Sequence, residues 1–332
     1  MKRYCRGLTL IELMISLVLS LMIMAGAISI FMGSKETFRL EENLSRVQEN
    51  FRYIADRLTK DLSLVGYTGC SLPYQDNSAK VSNRLSGFSG VRDVIQGEDG
   101  GTGPDKLTLS YARPGGGTNV LVGSGENVKA PINISTNTAL YNALQANFAK
   151  DEASRVPITL LVGNCDGGDI FVATGLNEHD DSDTKSPPAG EAGVRHAKDI
   201  IVGGLSNEED SFNVAYGDQD LSAARIYYTE DVTYEICKDA SGVRGFCVTR
   251  GGGNREMLMP DVSDFQVTYG LDSAGSEDGN ADHYVDWSGS ISNPDITAIR
   301  VTLTMVLDQV GGNDVTKAYG FTVKLRNMGL DI

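Results

Sequence analysis

Hydrophobic and polar positions along this chain follow three regimes, each with its own period. From Leu8 to Gly33 the residues are almost all apolar, and Glu12 is the only charge among them. Crossing a bilayer takes about 20 apolar residues, and the stretch Leu13–Gly33 supplies that length without a charge. From Leu40 the pattern changes. Leu40, Leu44, Val47, Phe51, Ile54, Leu58, Leu62 and Val65 follow one another at spacings of three or four, with Glu41, Glu42, Arg46, Glu49, Arg52, Asp56 and Lys60 on the remaining faces. That is one apolar stripe on a helix, and it is expected to lie against a sheet. No proline precedes Pro73, so Leu8–Val65 predicts a single helix of about 87 Å at 1.5 Å per residue. Gly66 and Gly69, in GYTGC, end it.

Beyond the helix the period falls to two. Residues 73–105 read as irregular, rich in Ser, Asn, Asp and Gly; strand signals then recur between turn clusters. They are KLTLSYA from Lys106, ITLLVG from Ile158, DIFVAT from Asp169, KDIIVG from Lys198, ARIYYT from Ala224, VTYEIC from Val232, GFCVTR from Gly245 and FQVTYG from Phe265. The alternation is clearest near the C-terminus. Ile299, Val301, Leu303, Met305 and Leu307 interleave with Arg300, Thr302 and Thr304, and Tyr319, Phe321, Val323 and Leu325 interleave with Thr322, Lys324 and Arg326. One apolar and one polar face per strand suits an antiparallel sheet packed on a helix. The expected fold class is α+β: a helical spine with antiparallel sheet against its C-terminal half. The pattern divides the chain into 8–33 (membrane half), 34–65 (amphipathic half) and 66–332 (a glycine-rich β domain).

Charge and processing signals add the compartment. The apolar run is too long for a secretory signal core, and no small-residue cleavage site ends it before Lys35. Lys2, Arg3 and Arg6 precede it, so the positive-inside bias keeps the N-terminus in the cytoplasm and exports everything after residue 34. The formal net charge of -15, from 29 Lys+Arg against 44 Asp+Glu, argues against nucleic acid as a partner. The 38 glycines suit a turn-rich β domain.

A carboxylate inside a membrane-length helix is expensive and marks function by default. Set in GLTLIELMISLVLSLM, Glu12 belongs to a constellation of basic leader, glycine, hydrophobic helix and a Glu five residues after that glycine. The constellation resembles the class III signal of type IV pilins and pseudopilins. The resemblance implies a leader of residues 1–7, cut by a prepilin peptidase between Gly7 and Leu8, with N-methylation at Leu8, where Phe is more usual. It also implies that Glu12 acts in assembly. In a filament whose helices bundle without water, an unpaired carboxylate is costly, and the N-terminal ammonium of a neighbouring subunit lies at its depth.

The segments GYTGC, GNCDGGDIFVAT and FCVTRGGGNREMLMPDVSDFQVTYGLD, with the terminal FTVKLRN, resemble the PilW family of minor pilins; 73–155 and 175–223 show no such likeness. What the resemblance implies is a low-abundance pilus subunit that primes type IV pilus assembly and sits at the tip. Its partners would be other minor pilins, the major pilin and a large tip-associated adhesin-type protein. It would occupy the inner membrane as a single-pass protein with a periplasmic domain before entering the pilus on the cell surface. A minor pseudopilin of a type II secretion system shares the same N-terminus, and a membrane-anchored surface adhesin is the other alternative.

Enzyme signals are not found. G-x-S-x-G, P-loop, dinucleotide and H-E-x-x-H patterns are missing, and His179, His196 and His283 are scattered in loops. No catalysis, cofactor or metal is expected. The acidic runs HDDSD from His179 and DSAGSEDGNAD from Asp272, which contain Asp180 and Asp278, lack EF-hand spacing and read as solvated loops.

Of five cysteines, Cys5 lies in the basic leader; Cys70, Cys165, Cys237 and Cys247 form an even set that reads as two disulfides. Cys237 and Cys247 enclose KDASGVRGF between two strand-like runs, as a hairpin closed by a disulfide would. By elimination Cys70 pairs with Cys165, closing a loop of about 95 residues and contributing roughly 4–5 kcal/mol, against roughly 2.5–3 for the short loop.

Overall fold

The computed structural model describes residues 10–67, 81–83, 85–86, 94–113, 118–121, 128–164, 167–183, 186–212, 215–216, 224–251, 253–272, 279–289, 291, 295–310 and 313–326. Helix α1 spans Leu10–Leu64. The chain divides into two compact units, one of Met1–Tyr53 with Val306–Lys317 and one of Ile54–Met305 with Ala318–Ile332. In the first, α1 runs unbroken through the apolar segment, since nothing between Leu10 and Tyr53 is a proline.

The larger unit holds most of the strands. In chain order they are β1 (Val81–Asn83), β2 (Leu85–Ser86), β3 (Ile95–Glu98), β4 (Lys106–Ala112), β5 (Thr118–Asn119) and β6 (Ile132–Ser135). After helix α2 (Ala139–Phe148) come β7 (Thr159–Asn164), β8 (Gly167–Val172), β9 (Gly175–Asn177), β10 (Glu191–Arg195), β11 (Ser206–Asn207) and β12 (Arg225–Lys238). Then follow β13 (Arg244–Arg250), β14 (Glu256–Pro260), β15 (Val262–Leu271), β16 (His283–Val285), β17 (Ile296–Val310) and β18 (Asn313–Lys324). The architecture is α+β and pilin-like: a long N-terminal helix, then a domain of mainly antiparallel sheet.

One strand organises the domain. ARIYYT and VTYEIC, expected as two strands, form the single 14-residue β12, because the intervening Glu230 and Asp231 both find partners within the sheet. Its first residues, Arg225–Tyr228, pair with β7, while Thr229–Glu235 pair with β4 and Val232–Lys238 with β13. β12 therefore belongs to two sheet regions. On one side β7 and β8, with β6, β10 and α2, enclose a core of Ile132, Leu144, Val162, Phe171, Val194 and Ile226. On the other, Leu107 and Leu109 of β4, Val232 and Tyr234 of β12, and Phe246 and Val248 of β13 are buried on one face. Thr108 and Thr233 share a 3.0 Å hydrogen bond on the opposite face, and Ser110 donates to Asp231 there. This is the apolar-in, polar-out alternation of a half-buried antiparallel sheet.

Besides the fusion into β12, strands β5, β6, β9, β10, β11, β14 and β16 lie outside the expected strand signals, and further features depart from the sequence expectation. KDIIVG is not a strand: Asp199 takes a left-handed φ of 59°, and the segment closes as a turn through the bridge of Val202 to Leu205. β1, β2 and β3 lie inside 73–105, which reads as irregular because those strands are too short to show alternation. β1 pairs with β8 in parallel, and Lys198 bridges to Asn207 in parallel, whereas most of the described strand pairs are antiparallel. Helix α2 had a legible signal that the strand pattern concealed. Thr138 caps it by accepting from the Tyr141 amide at 3.2 Å, and Leu140 and Leu144 share its buried face.

Cys237 and Cys247 are joined by a disulfide, with Cα atoms 5.9 Å apart. They stand diagonally on β12 and β13, since Cys237 opposes Gly245 and Cys247 opposes Glu235. The turn is closed by Asp239, whose Oδ1 accepts from the amides of Ser241 at 2.8 Å and Val243 at 2.9 Å; Gly242, at φ 85°, supplies the left-handed residue. Cys237→Ser is expected to lower the stability of this unit by about 2.5–3 kcal/mol, measured by urea denaturation with and without reductant. Under reductant the difference from wild type should vanish. Cys70 and Cys165 lie outside the described residues, so their pairing is tested by non-reducing peptide mapping; a link from Cys70 to Cys237 or Cys247 would overturn it.

Candidate functional site

The first half of α1 carries the candidate assembly segment. Its large apolar side chains are exposed throughout, from Leu10 at 79% to Met32 at 65%. Among the described residues α1 is the one helix long and apolar enough to cross a membrane. Two of its hydroxyl groups turn back onto the helix: Ser16 donates to the Leu13 carbonyl at 3.0 Å and Ser20 to that of Leu17 at 2.9 Å. Both hydroxyls are thus satisfied inside the helix, as an apolar solvent demands. Glu12 stands in the first turn of α1, where the helix dipole favours a negative charge. Gly7 and Leu8 lie outside the described residues.

Residues 2–28 match the prokaryotic N-terminal methylation motif. This is a prepilin-type N-terminus. Neither a curated protein nor a solved structure matches the chain. The prepilin-type motif contains Gly7, Leu8 and Glu12, and it implies processing by a prepilin peptidase and an assembly context of pilin or pseudopilin type. Together with the apolar first half of α1 it fits anchoring in the inner membrane. Mass spectrometry of the protein from cells containing that peptidase is expected to show an N-methylated Leu8. Loss of Lys2, Arg3 and Arg6 would take the formal charge from -15 to -18. An intact Met1 would be the contrary result.

At the other end of α1, within the larger unit, the structure brings together residues that the sequence pattern did not single out. Ile54, Leu58 and Leu62 are fully buried, and beside them Asp61 is only 6% exposed. Its Oδ2 accepts from the Arg250 guanidinium at 2.7 Å and from the Tyr234 hydroxyl; Oδ1 accepts from the Tyr111 hydroxyl at 3.0 Å. Arg250 also donates to Tyr111 at 3.1 Å and to Glu230 at 3.4 Å. One carboxylate thus ties α1 to β4, β12 and β13 together. One turn earlier Arg57 reaches Glu256 of β14 at 3.9 Å.

These partners share a face by register. Tyr111 opposes Glu230, and Val232 opposes Arg250. The tyrosine hydroxyls are held protonated, because burial and then the Asp61 charge push both pKa values well above the ordinary 10.0. Both therefore remain donors to the carboxylate. The helix ends just beyond, where Gly66 at φ 72° reverses the chain and the Tyr67 amide bonds the Leu64 carbonyl at 2.8 Å. A sequence signal for this latch did exist: Asp61 falls three residues after Leu58 and beside Leu62, on the border of the apolar stripe.

The acidic run from His179 turns inward on itself. Asp180 Oδ1 accepts from the Ser182 amide at 2.8 Å, and His179 Nε2 lies 2.8 Å from Asp181. Among the described residues no cluster of three His, Cys, Asp or Glu side chains converges as a metal site would require. Asp278 lies outside the described residues. Of the other two histidines, His196 is buried beside Phe171 and Phe212 with Nε2 2.9 Å from the Ala130 carbonyl, and burial pushes its pKa down; His283, expected in a loop, is instead the first residue of strand β16.

Proposed function

We propose that this chain is a minor pilin that primes type IV pilus assembly and sits at the pilus tip, acting by assembly and not by catalysis. The observation that carries the reading is the prepilin-type motif at residues 2–28, continuous with an apolar helix. The PilW-like segments around Gly66, Cys165 and Cys247 favour a minor pilin over other proteins with this N-terminus.

The physical logic runs through α1. In the membrane its apolar surface is solvated by lipid. Moving it into a helix bundle exchanges one apolar environment for another, so the hydrophobic term gives little direction to assembly. The polar exception supplies it. After cleavage at Gly7–Leu8 the new ammonium of one subunit and Glu12 of the next are both poorly solvated unless they meet. That requirement favours one axial register. Asp61 then couples the spine to the β unit, so that a force on the helix is transmitted to the sheet.

A strain lacking this chain is expected to lose surface pili while its major pilin persists in the membrane. Restoring the chain should restore piliation at a level far below that of the major pilin. Intact piliation together with a lost secreted protein would reassign the chain to a type II secretion pseudopilus.

A further inference from the structure

At the C-terminal end of β18, the outer face of the four-stranded sheet, ordered β16-β15-β17-β18, gathers three exposed cations in a chain of net charge -15. Val323 and Leu325 of the terminal strand and its continuation are buried, while Thr322, Lys324 and Arg326 alternate with them and are exposed. On the neighbouring strand Arg300 is also exposed, and its Nε donates to Thr322 at 3.5 Å. Its guanidinium is held 3.9 Å from the centre of the Tyr284 ring. Lys324 donates to the Asn280 side-chain oxygen at 2.9 Å.

Among the described residues Arg300, Lys324 and Arg326 have no carboxylate partner, although Lys106, Arg250 and Arg255 each have one elsewhere. The acid on β15 of the same sheet, Asp264, opposes Thr304. That is four residues from Arg300, about 13 Å along the strand, and Asp308 of β17 and Asp314 of β18 stand eight and ten residues along the chain from Arg300 and Lys324. A chain with 44 acidic residues has thus placed none of its described carboxylates on these three cations. Charged edge strands also discourage self-pairing. The sign of the charge decides which strand is still able to pair.

We propose that β18 is a receiving edge for an extended acidic segment of a neighbouring protein subunit, which adds to the sheet as a fifth strand. Backbone hydrogen bonds along the edge would give affinity, and alternate side chains would give specificity. Carboxylates at every second residue, about 6.7 Å apart, match the sequence spacing of Lys324, the last residue of β18, and Arg326 just beyond it. Arg300, one strand further in and stiffened by Tyr284, strengthens the field they meet. The rest of this chain repels a long polyanion, whereas a short acidic strand meets only the local cations. The inference holds for a pilus or a secretion pseudopilus alike.

The test uses the mature full-length protein in detergent and a fluorescent peptide of alternating Glu and Thr, with binding read by anisotropy. Saturable binding is expected, weakening by about tenfold from low to high salt. The double variant Lys324→Glu, Arg326→Glu should lose at least about tenfold in affinity while keeping its circular dichroism; if it does not fold, Lys324→Gln, Arg326→Gln should show a smaller loss in the same direction. A peptide N-methylated at alternate residues keeps every carboxylate but cannot complete the ladder, and it should bind weakly. Failure of the wild type to bind, unchanged affinity in the folded variants, or equal binding of the N-methylated peptide would overturn the proposal. So would displacement of the peptide by dextran sulfate at equal charge, which would assign the face to an anionic carbohydrate.

Discussion

Asp61→Ala is expected to destabilise the β unit by about 2–4 kcal/mol. Removing one partner of a buried ion pair typically costs about 3–5 kcal/mol, because the other charge is left without compensation. Here the Arg250 side chain keeps 28% of its exposure and retains Glu230 at 3.4 Å, so part of that cost is screened. The Tyr111 and Tyr234 hydroxyls would lose their acceptor as well, at about 1 kcal/mol or more each. Tyr234→Phe removes one donor and leaves the ion pair, so it should cost only about 1 kcal/mol. The single tryptophan, Trp287, packs 5.0 Å from the Tyr269 ring in this unit and serves as a local probe of urea unfolding. A loss below about 0.5 kcal/mol, the range of ordinary surface substitutions, would show that Asp61 is not a latch.

The same network has a pH signature with a definite sign. Both tyrosine pKa values are raised in the folded state. Their contribution is therefore fully present below the unfolded value of 10.0 and is lost as pH rises beyond it, since the unfolded chain releases the protons first. Stability of the wild type should fall on the alkaline side of pH 10. In a Tyr111→Phe, Tyr234→Phe double variant that fall should be shallower.

Glu12→Ala is the substitution with the largest expected functional effect. The variant should still be cleaved and inserted, because alanine makes the apolar helix more apolar and leaves the Gly7–Leu8 junction unchanged. Its entry into the assembled filament or priming complex should drop by about a hundredfold or more. The basis is the loss of one partner from a desolvated pair, about 3 kcal/mol at the lower end, with each 1.4 kcal/mol worth a factor of ten. Immunoblots of membrane and sheared-surface fractions from a strain with no second copy separate the two steps. Normal piliation in that strain would count decisively against the role given to Glu12.

The contrast between Glu12 and Asp61 explains how much of the site was legible beforehand. Glu12 is visible because it breaks an otherwise uncharged run, and a membrane gives a single charge nowhere to hide. Asp61 has the same chemistry but sits among Lys60, Arg57 and Asp56, where its place on the border of the apolar stripe is the one weak sign that sets it apart. Its role depends on Tyr111, Tyr234 and Arg250, which are between 50 and 189 residues away along the chain. No periodicity links positions so far apart.

By itself the sequence determined the elements whose cause is local. The unbroken α1 follows from the lack of proline and from a stripe at spacings of three and four; β4, β15, β17 and β18 follow from period-two alternation with one buried face, and β7, β8 and β13 from short apolar runs that are buried on both faces. The prepilin-type N-terminus is also local, since a peptidase and a membrane both read contiguous residues. Pairing and register were decided only in three dimensions. The fusion of two expected strands into β12, its division between β7 and β4, the parallel pairing of β1 with β8 and the turn at Asp199 all depend on partners elsewhere in the chain. So do the latch around Asp61 and the cations at the end of β18, which have no carboxylate partner among the described residues. Helix and strand propensity are set over a few bonded neighbours, whereas a buried charge is satisfied only by whatever distant side chain the tertiary fold carries to it.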